Sequence, residues 1–208
     1  PAMNIHRTPF AGRNFEYYSE DPFMSGAMAL EAVNATAERG MYSFIKHFAL
    51  NDQEDHRTDK GLATWSNEQA IREIYLQPFR VCVERRAEVE TRYWEYNEKD
   101  DSFTEKKVKI PGVLAIMSSF NRIGATWAGG DYRLLTQVLR NEWGFDGMVL
   151  TDYDNGGYMN TQQCLRAGGD VKLTQQNTVP YSIKTDADKY YARESMKHVL
   201  YTVVNSNA

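Results

Sequence analysis

The sequence predicts an α/β fold with a parallel sheet. Three observations carry this: apolar runs too short for helices, helical stripes between them, and repetition of that alternation along the chain. The runs at Val113–Met117 and Met148–Leu150 are nearly all apolar. Such runs suit strands buried on both faces, as in parallel sheets. Strand–helix–strand order implies right-handed crossovers. A doubly wound sheet and a (β/α)8 barrel both satisfy it. About five strands are countable, where a closed barrel of this kind needs eight.

Taken in order, Met3–Ile5 is a weak strand and Tyr42–Ile45 a better one, before the two strong runs. Val171–Leu173 is a short last strand. Pro22 suits the first turn of a helix carrying Phe23, Ala27, Leu30, Val33 and Ala37 on one face, with Gly40 just past its end. Ser66 and Gln69 have capping-box spacing. Behind them Ile71, Ile74, Tyr75, Phe79 and Val83 form a stripe, with Pro78 expected to bend it. Leu134, Leu135, Val138 and Leu139 mark a helix stopped at Gly144. A last helix begins near Thr185 and is expected to turn Met196, Val199, Leu200 and Val203 inward.

A charged insertion around residues 91–109 interrupts the rhythm. It reads as a solvated β-hairpin turning at Lys99-Asp100-Asp101, a surface excursion rather than a substrate lid.

The chain has 208 residues and a formal net charge of −4. No basic stripe favours nucleic acid, and no apolar run is long enough to span a bilayer. The two cysteines, Cys82 and Cys164, have no metal spacing and read as buried thiols. The opening Pro1-Ala2-Met3 has neither an initiator Met nor a signal peptide and reads as the interior of a larger protein. The compartment, cytoplasmic or secreted, is not legible.

In parallel α/β folds, ligands sit at the carboxyl ends of strands. The polar residues there are Lys46 and His47, then Ser118, Ser119 and Phe120, then Thr151 and Asp152. Each has a plainer reading: Asp152 as a helix cap, Lys46 as an exposed lysine, His47 as a satisfied core histidine, and Arg13 as a partner of Glu16 or Glu20. His47, Asp52, Asp55 and His56 lie close together but match no metal signature, so no metal is expected. Gly156-Gly157 and Gly168-Gly169 lack phosphate-loop spacing.

Four segments in order resemble glycoside hydrolase family 3, the β-glucosidase family. They are Gly12-Arg13-Asn14-Phe15-Glu16 with Ser19-Glu20-Asp21-Pro22; Lys46-His47-Phe48 with Asn51, Glu54 and Arg57; Met117-Ser118-Ser119-Phe120-Asn121; and Trp143-Gly144-Phe145-Asp146-Gly147 through Asp152-Tyr153. The resemblance implies that residues 1–208 are part of a catalytic (β/α)8 barrel, roughly its last five strand–helix units. It implies Asp152 as nucleophile, with Arg13, Lys46 and His47 bonding the sugar. Tyr153 falls where an aglycone platform is usual. Phe120 replaces a Tyr and would pack beneath the sugar. Lys46 and Arg13 would keep Asp152 ionised by lowering its pKa.

The resemblance further implies a carbohydrate substrate, no cofactor, and an acid/base group from another domain, with the missing strands upstream, as the closing Val199–Asn207 segment suggests. Asp55-His56 matches the acetylglucosaminidase dyad only loosely, because the loop lacks Gly-His-Gly; the glucosidase reading is preferred. The rivals are a non-catalytic sugar-binding or assembly module and a stand-alone half-barrel. The open parallel edges of the latter would favour homo-oligomerisation or completion by a second chain.

Overall fold

In the computed structural model, the described residues are 1–57, 62–154, 157–174 and 181–207. The labelled elements are α1 (Pro22–Ala37), β1 (Phe44–Phe48), β2 (Ala63–Thr64), α2 (Glu68–Ala70), α3 (Gln77–Glu84), β3 (Glu88–Asn97), β4 (Ser102–Pro111), β5 (Ala115–Ser118), β6 (Arg122–Ile123), β7 (Thr126–Trp127), β8 (Met148–Leu150), α4 (Thr161–Ala167) and α5 (Asp186–Val204). A π-helical turn, Ile71–Tyr75, joins α2 to α3, and a π-helix, Arg133–Glu142, lies between β7 and β8.

The central sheet is parallel, in the order β1-β5-β8. Parallel bridges extend it on both sides, Ala2 to Lys46 and Leu150 to Val171. Chain order and spatial order therefore agree across the sheet, without reversal. Met148–Leu150 is the strand expected. Tyr42–Ile45 shifts to Phe44–Phe48, and Val113–Met117 to Ala115–Ser118. Met3–Ile5 and Val171–Leu173 are not strands; each region contributes a single bridge, at Ala2 and Val171.

The helix starts are set by local hydrogen bonds. The Asp21 side chain accepts the Met24 N–H at 2.7 Å, with Pro22 in the first turn. The α1 face that is buried differs from the expected one: it is Ser25, Gly26, Ala29, Val33 and Ala37, while Phe23 is exposed beneath the Arg85 guanidinium. Close approach to α3 selects small residues, since a Cβ on Gly26 would lie 2.8 Å from the Pro78 carbonyl oxygen. Asn67, not Ser66, caps the next helical run, accepting the Ala70 N–H at 2.8 Å. Pro78 opens α3 in its first turn rather than bending a continuous helix, because the chain has already widened into the π turn.

Thr185 and Asp188 form the capping box of α5. The inward face of α5 is polar, however. Thr202 Oγ1 donates to the Leu114 carbonyl at 2.8 Å and accepts the Met148 N–H at 2.9 Å. Docking on these strand starts turns Met196 and Leu200 outward, contrary to their apolar character.

The core beneath the sheet is aromatic and aliphatic. Phe48 meets Phe79 at 5.1 Å and Trp143 at 5.9 Å between ring centroids, both edge-on. Leu134, Leu135, Val138 and Leu139 of the π-helix complete it. The charged insertion is the hairpin β3–β4, paired from Glu88↔Pro111 to Asn97↔Ser102. Only its base is buried, at Val89, Thr91 and Ile110. It leaves the body at the start of β5, the opposite end of the strands from Lys46, His47 and Asp152. Cys82 and Cys164 are free and buried, and burial pushes both thiols up to about 12.

Candidate active site

The carboxyl ends of the strands are stitched together by main-chain bonds. Ser119 N–H donates to Phe48 O at 2.8 Å, Asp152 N–H to Ser118 O at 3.1 Å, and Thr151 N–H to Val171 O at 2.9 Å. Residues distant in sequence thereby meet at one edge. The β1–β5 register shifts between Ile45 and Phe48, where Lys46 and His47 lie. Asn4 fixes the His47 peptide from both sides, accepting its N–H at 2.8 Å and donating to its carbonyl at 3.0 Å.

The result is a buried imidazole beside a buried carboxylate. His47 Nε2 lies 3.5 Å from Asp152 Oδ2, with His47 1% and Asp152 8% exposed. Asp152 Oδ1 accepts the Tyr153 N–H at 2.7 Å. Oδ2 has no hydrogen-bond partner among the described residues, nor does His47 Nδ1 or Ser118 Oγ. Buried polar atoms normally find partners, so a cluster of open ones at strand ends marks a place where a polar ligand can bind.

Around this pair runs a chain of ion pairs. Arg13 and Lys46 share Glu16, with the Lys46 Nζ to Oε2 distance at 3.4 Å. Arg13 also lies 3.8 Å from Glu54, whose second oxygen meets Arg57. Gly12 permits this closeness: at φ +90°, a Cβ there would lie 2.9 Å from Glu54 Cγ. The Arg57 guanidinium sits 4.0 Å from the centroid of the Phe120 ring. Phe120 is buried in a cluster with Trp127, Met159 and Cys164, against which Tyr153 and Tyr158 pack.

The electrostatics follow from burial. His47 is pushed down to about 2, first by burial and then by the charges of Arg13, Lys46 and Arg57, so the imidazole is neutral. Asp152 is raised rather than lowered. Burial outweighs its Tyr153 hydrogen bond and the charges of Arg57, Arg13 and Lys46. The sequence-based expectation of a depressed Asp152 is therefore corrected in its net direction: Arg13 and Lys46 do pull the carboxyl down, but burial raises it by more.

The structure gathers Arg13, Lys46, His47, Phe120, Asp152 and Tyr153 at one end of the sheet. It adds Glu54 and Arg57, which were visible only as motif letters, their opposite charges three residues apart being the available signal, and it selects Glu16 over Glu20 as the partner of Arg13. Nothing in the sequence singled out Asn4. Asp55 and His56 are exposed, and no group of metal-ligating side chains occurs among the described residues. Gly156 lies outside the described residues. A cleft of about 730 Å³ lined by Trp65, Arg133 and Glu142 lies apart from these groups. The convergence of buried ionisable groups, not cleft volume, makes this strand end the candidate site.

The fold and site define a member of glycosyl hydrolase family 3: the model described as the "Glycosyl hydrolase family 3 N terminal domain" matches residues 1–199, and the chain belongs to that family. Among its relatives is a β-glucosidase of Rhizobium radiobacter, 37% identical over 173 residues, covering 83% of this chain and 18% of that protein. An exo-α-(1→6)-L-arabinopyranosidase of Bifidobacterium longum is 36% identical over 166 residues, covering 77% of this chain and 18% of its own length. Among solved structures, β-glucosidase 3B of Thermotoga neapolitana in complex with glucose superposes with a TM-score of 0.75 at 32% identity, covering 99% of this chain and 27% of that one. The chain thus spans less than a fifth of the length of the curated relatives named here.

Proposed function

We propose that this chain is part of the catalytic barrel of a retaining glycoside hydrolase of β-glucosidase type, roughly its last five strand–helix units. The unreversed parallel strand order supports the barrel over a doubly wound sheet, which needs a reversal. The observation that carries the reaction is the open Oδ2 of buried Asp152 beside neutral His47.

In this reading, the Asp152 carboxylate attacks the anomeric carbon of a terminal β-linked glycoside. The bond to the leaving-group oxygen breaks as a glycosyl ester forms, and water then hydrolyses the ester with net retention. Arg13, Lys46 and His47 hold the sugar hydroxyls; the planar guanidinium suits paired hydroxyls. Tyr153 offers an aromatic face beside the leaving group. Phe120, its ring already covered by Arg57, shapes the floor. The acid that protonates the leaving group sits about 5 Å from the nucleophile in retaining enzymes and is supplied by the rest of the parent protein. The chemistry draws on carboxylates alone and needs no cofactor. The isolated chain is expected to be nearly inactive.

The test is Asp152→Asn in the full-length parent, assayed with an aryl β-glucoside and with a 2-fluoro glycoside that traps the ester. Loss of both turnover and mass-labelled ester is expected. Unchanged turnover would refute the assignment. Glucose binding without hydrolysis in the unmutated parent would instead favour a non-catalytic sugar-binding module.

A further inference from the structure

Each of the three cations whose charge reaches Asp152 is tied to a glutamate. Lys46 and Arg13 hold Glu16, and Arg13 and Arg57 hold Glu54. Among the described residues, no Arg or Lys nitrogen lies within 4.0 Å of the Asp152 carboxylate; only His47 does. Uncompensated guanidiniums this close to a buried carboxylate would be drawn to it, because charge-assisted bidentate pairs are among the strongest polar contacts available. A nucleophile locked in such a pair has no oxygen free to attack.

We propose that Glu54 is a positioning residue: its carboxylate bridges Arg13 and Arg57, holds both guanidiniums off Asp152, and so keeps Oδ2 open for a sugar. Three features accompany this bridge. A side chain at Gly12, strained at φ +90°, would crowd Glu54, with its Cβ 2.9 Å from Glu54 Cγ. The Glu54 side chain is 22% exposed and lies between Arg13, 17% exposed, and Arg57, 20% exposed. The Phe120 ring lies against the Arg57 guanidinium, 4.0 Å from ring centroid to Cζ. In this proposal Glu54, paired with Arg57 and 3.8 Å from Arg13, acts through the arginines rather than on the substrate.

Among the described residues, the charged or titratable groups around the site include Lys46 and His47 on β1, Pro1, Arg13, Glu16 and Tyr17 from the N-terminal segment, Asp52, Glu54 and Arg57 from the loop after β1, and Asp154 and Tyr158 from the loop after β8. Glu54 and Asp152 repel one another. Removing the Glu54 charge removes that repulsion and frees Arg57 to stabilise the Asp152 anion, while Arg13 keeps Glu16 as its partner. The ionisation of Asp152 then moves to lower pH while its reactivity falls.

This inference rests on Asp152 being the nucleophile, and the experiment separates the two claims. Glu54→Gln and Glu54→Asp are made in the full-length parent beside Asp152→Asn, with thermal melting to verify folding. Glu54→Gln is expected to lower kcat/KM on the order of 10–100-fold, as displacement of a site group does, and to move the acidic limb of its pH profile to lower pH. Glu54→Asp keeps the charge but is too short to span both arginines; a smaller loss and a smaller shift are expected. A limb that stays in place in both variants overturns the proposal, whatever the loss of rate. If Glu54→Gln does not fold, the Glu54→Asp limb alone decides. Activity surviving in Asp152→Asn would sink the nucleophile assignment instead.

Discussion

His47 Nε2 faces Asp152 Oδ2 at 3.5 Å, joining the end of β1 to the end of β8 across β5. Neither residue is remarkable in its own segment. Their meeting depends on the parallel order of three strands and on the Asn4 bonds that fix the His47 peptide.

The first prediction concerns the charge of His47. Its pKa in the folded chain lies near 2, below the unfolded value of about 6.5. The unfolded chain therefore takes up a proton that the folded chain refuses. Stability is intact above about pH 6.5 and falls below it, by up to about 1.4 kcal/mol per pH unit from this group. Ring nitrogen NMR should show a single neutral tautomer for His47 from pH 8 to pH 4. A shift typical of imidazolium near pH 6 would contradict it.

Asp52 works in the opposite direction. Burial raises it to about 6, although its Oδ1 accepts the Ile5 N–H at 3.0 Å. The folded chain binds this proton more tightly than the unfolded one, so the charged form costs stability above pH 6 and the cost fades as pH falls toward 4. Asp52→Asn keeps an acceptor for Ile5 and removes the charge. It should stabilise the chain at pH 7.5 by about 1–2 kcal/mol, allowing for partial exposure, and have little effect at pH 4. Denaturant midpoints at the two values would decide.

Gly147 lies directly before β8 and has no room for a side chain. A Cβ there would sit 2.2 Å from the Leu114 carbonyl oxygen, a backbone atom that cannot rotate away. Gly147→Ala should cost about 1–3 kcal/mol through overpacking and disturb the strand that carries Asp152. A urea unfolding curve that matches the unmutated chain would exclude this.

The hairpin should divide energetically at its base. Ile110 is 2% exposed and Trp94 is 65% exposed. Ile110→Ala should cost about 2–4 kcal/mol, and Trp94→Ala should stay within about 0.5 kcal/mol. The same unfolding measurement applied to both variants tests whether the projecting part carries stability.

Much of the fold was legible because its signals are local. The apolar run Met148–Leu150, the cap at Thr185, the glycine stop at Gly144 and the turn at Lys99-Asp100-Asp101 each depend on a few neighbouring residues. The facing of helices was less legible. Hydrophobic character pointed Phe23 and Met196 inward, but α1 meets α3 through Gly26, and α5 docks through the Thr202 hydroxyl. Packing distance and backbone hydrogen bonds overrode side-chain polarity in both cases.

The sequence by itself determined the alternation of strands and helices and the identity of the residues at the strand ends. Tertiary structure alone decided which charges cancel. Arg13 and Lys46 looked like cations that would hold Asp152 ionised; folding gave them Glu16 and Glu54 as partners, leaving burial as the stronger influence on the carboxylate. The physical reason is range. Caps and turns are settled within a few residues, whereas an ionisation state sums solvent exclusion and every nearby charge, and those distances exist only once the chain has folded.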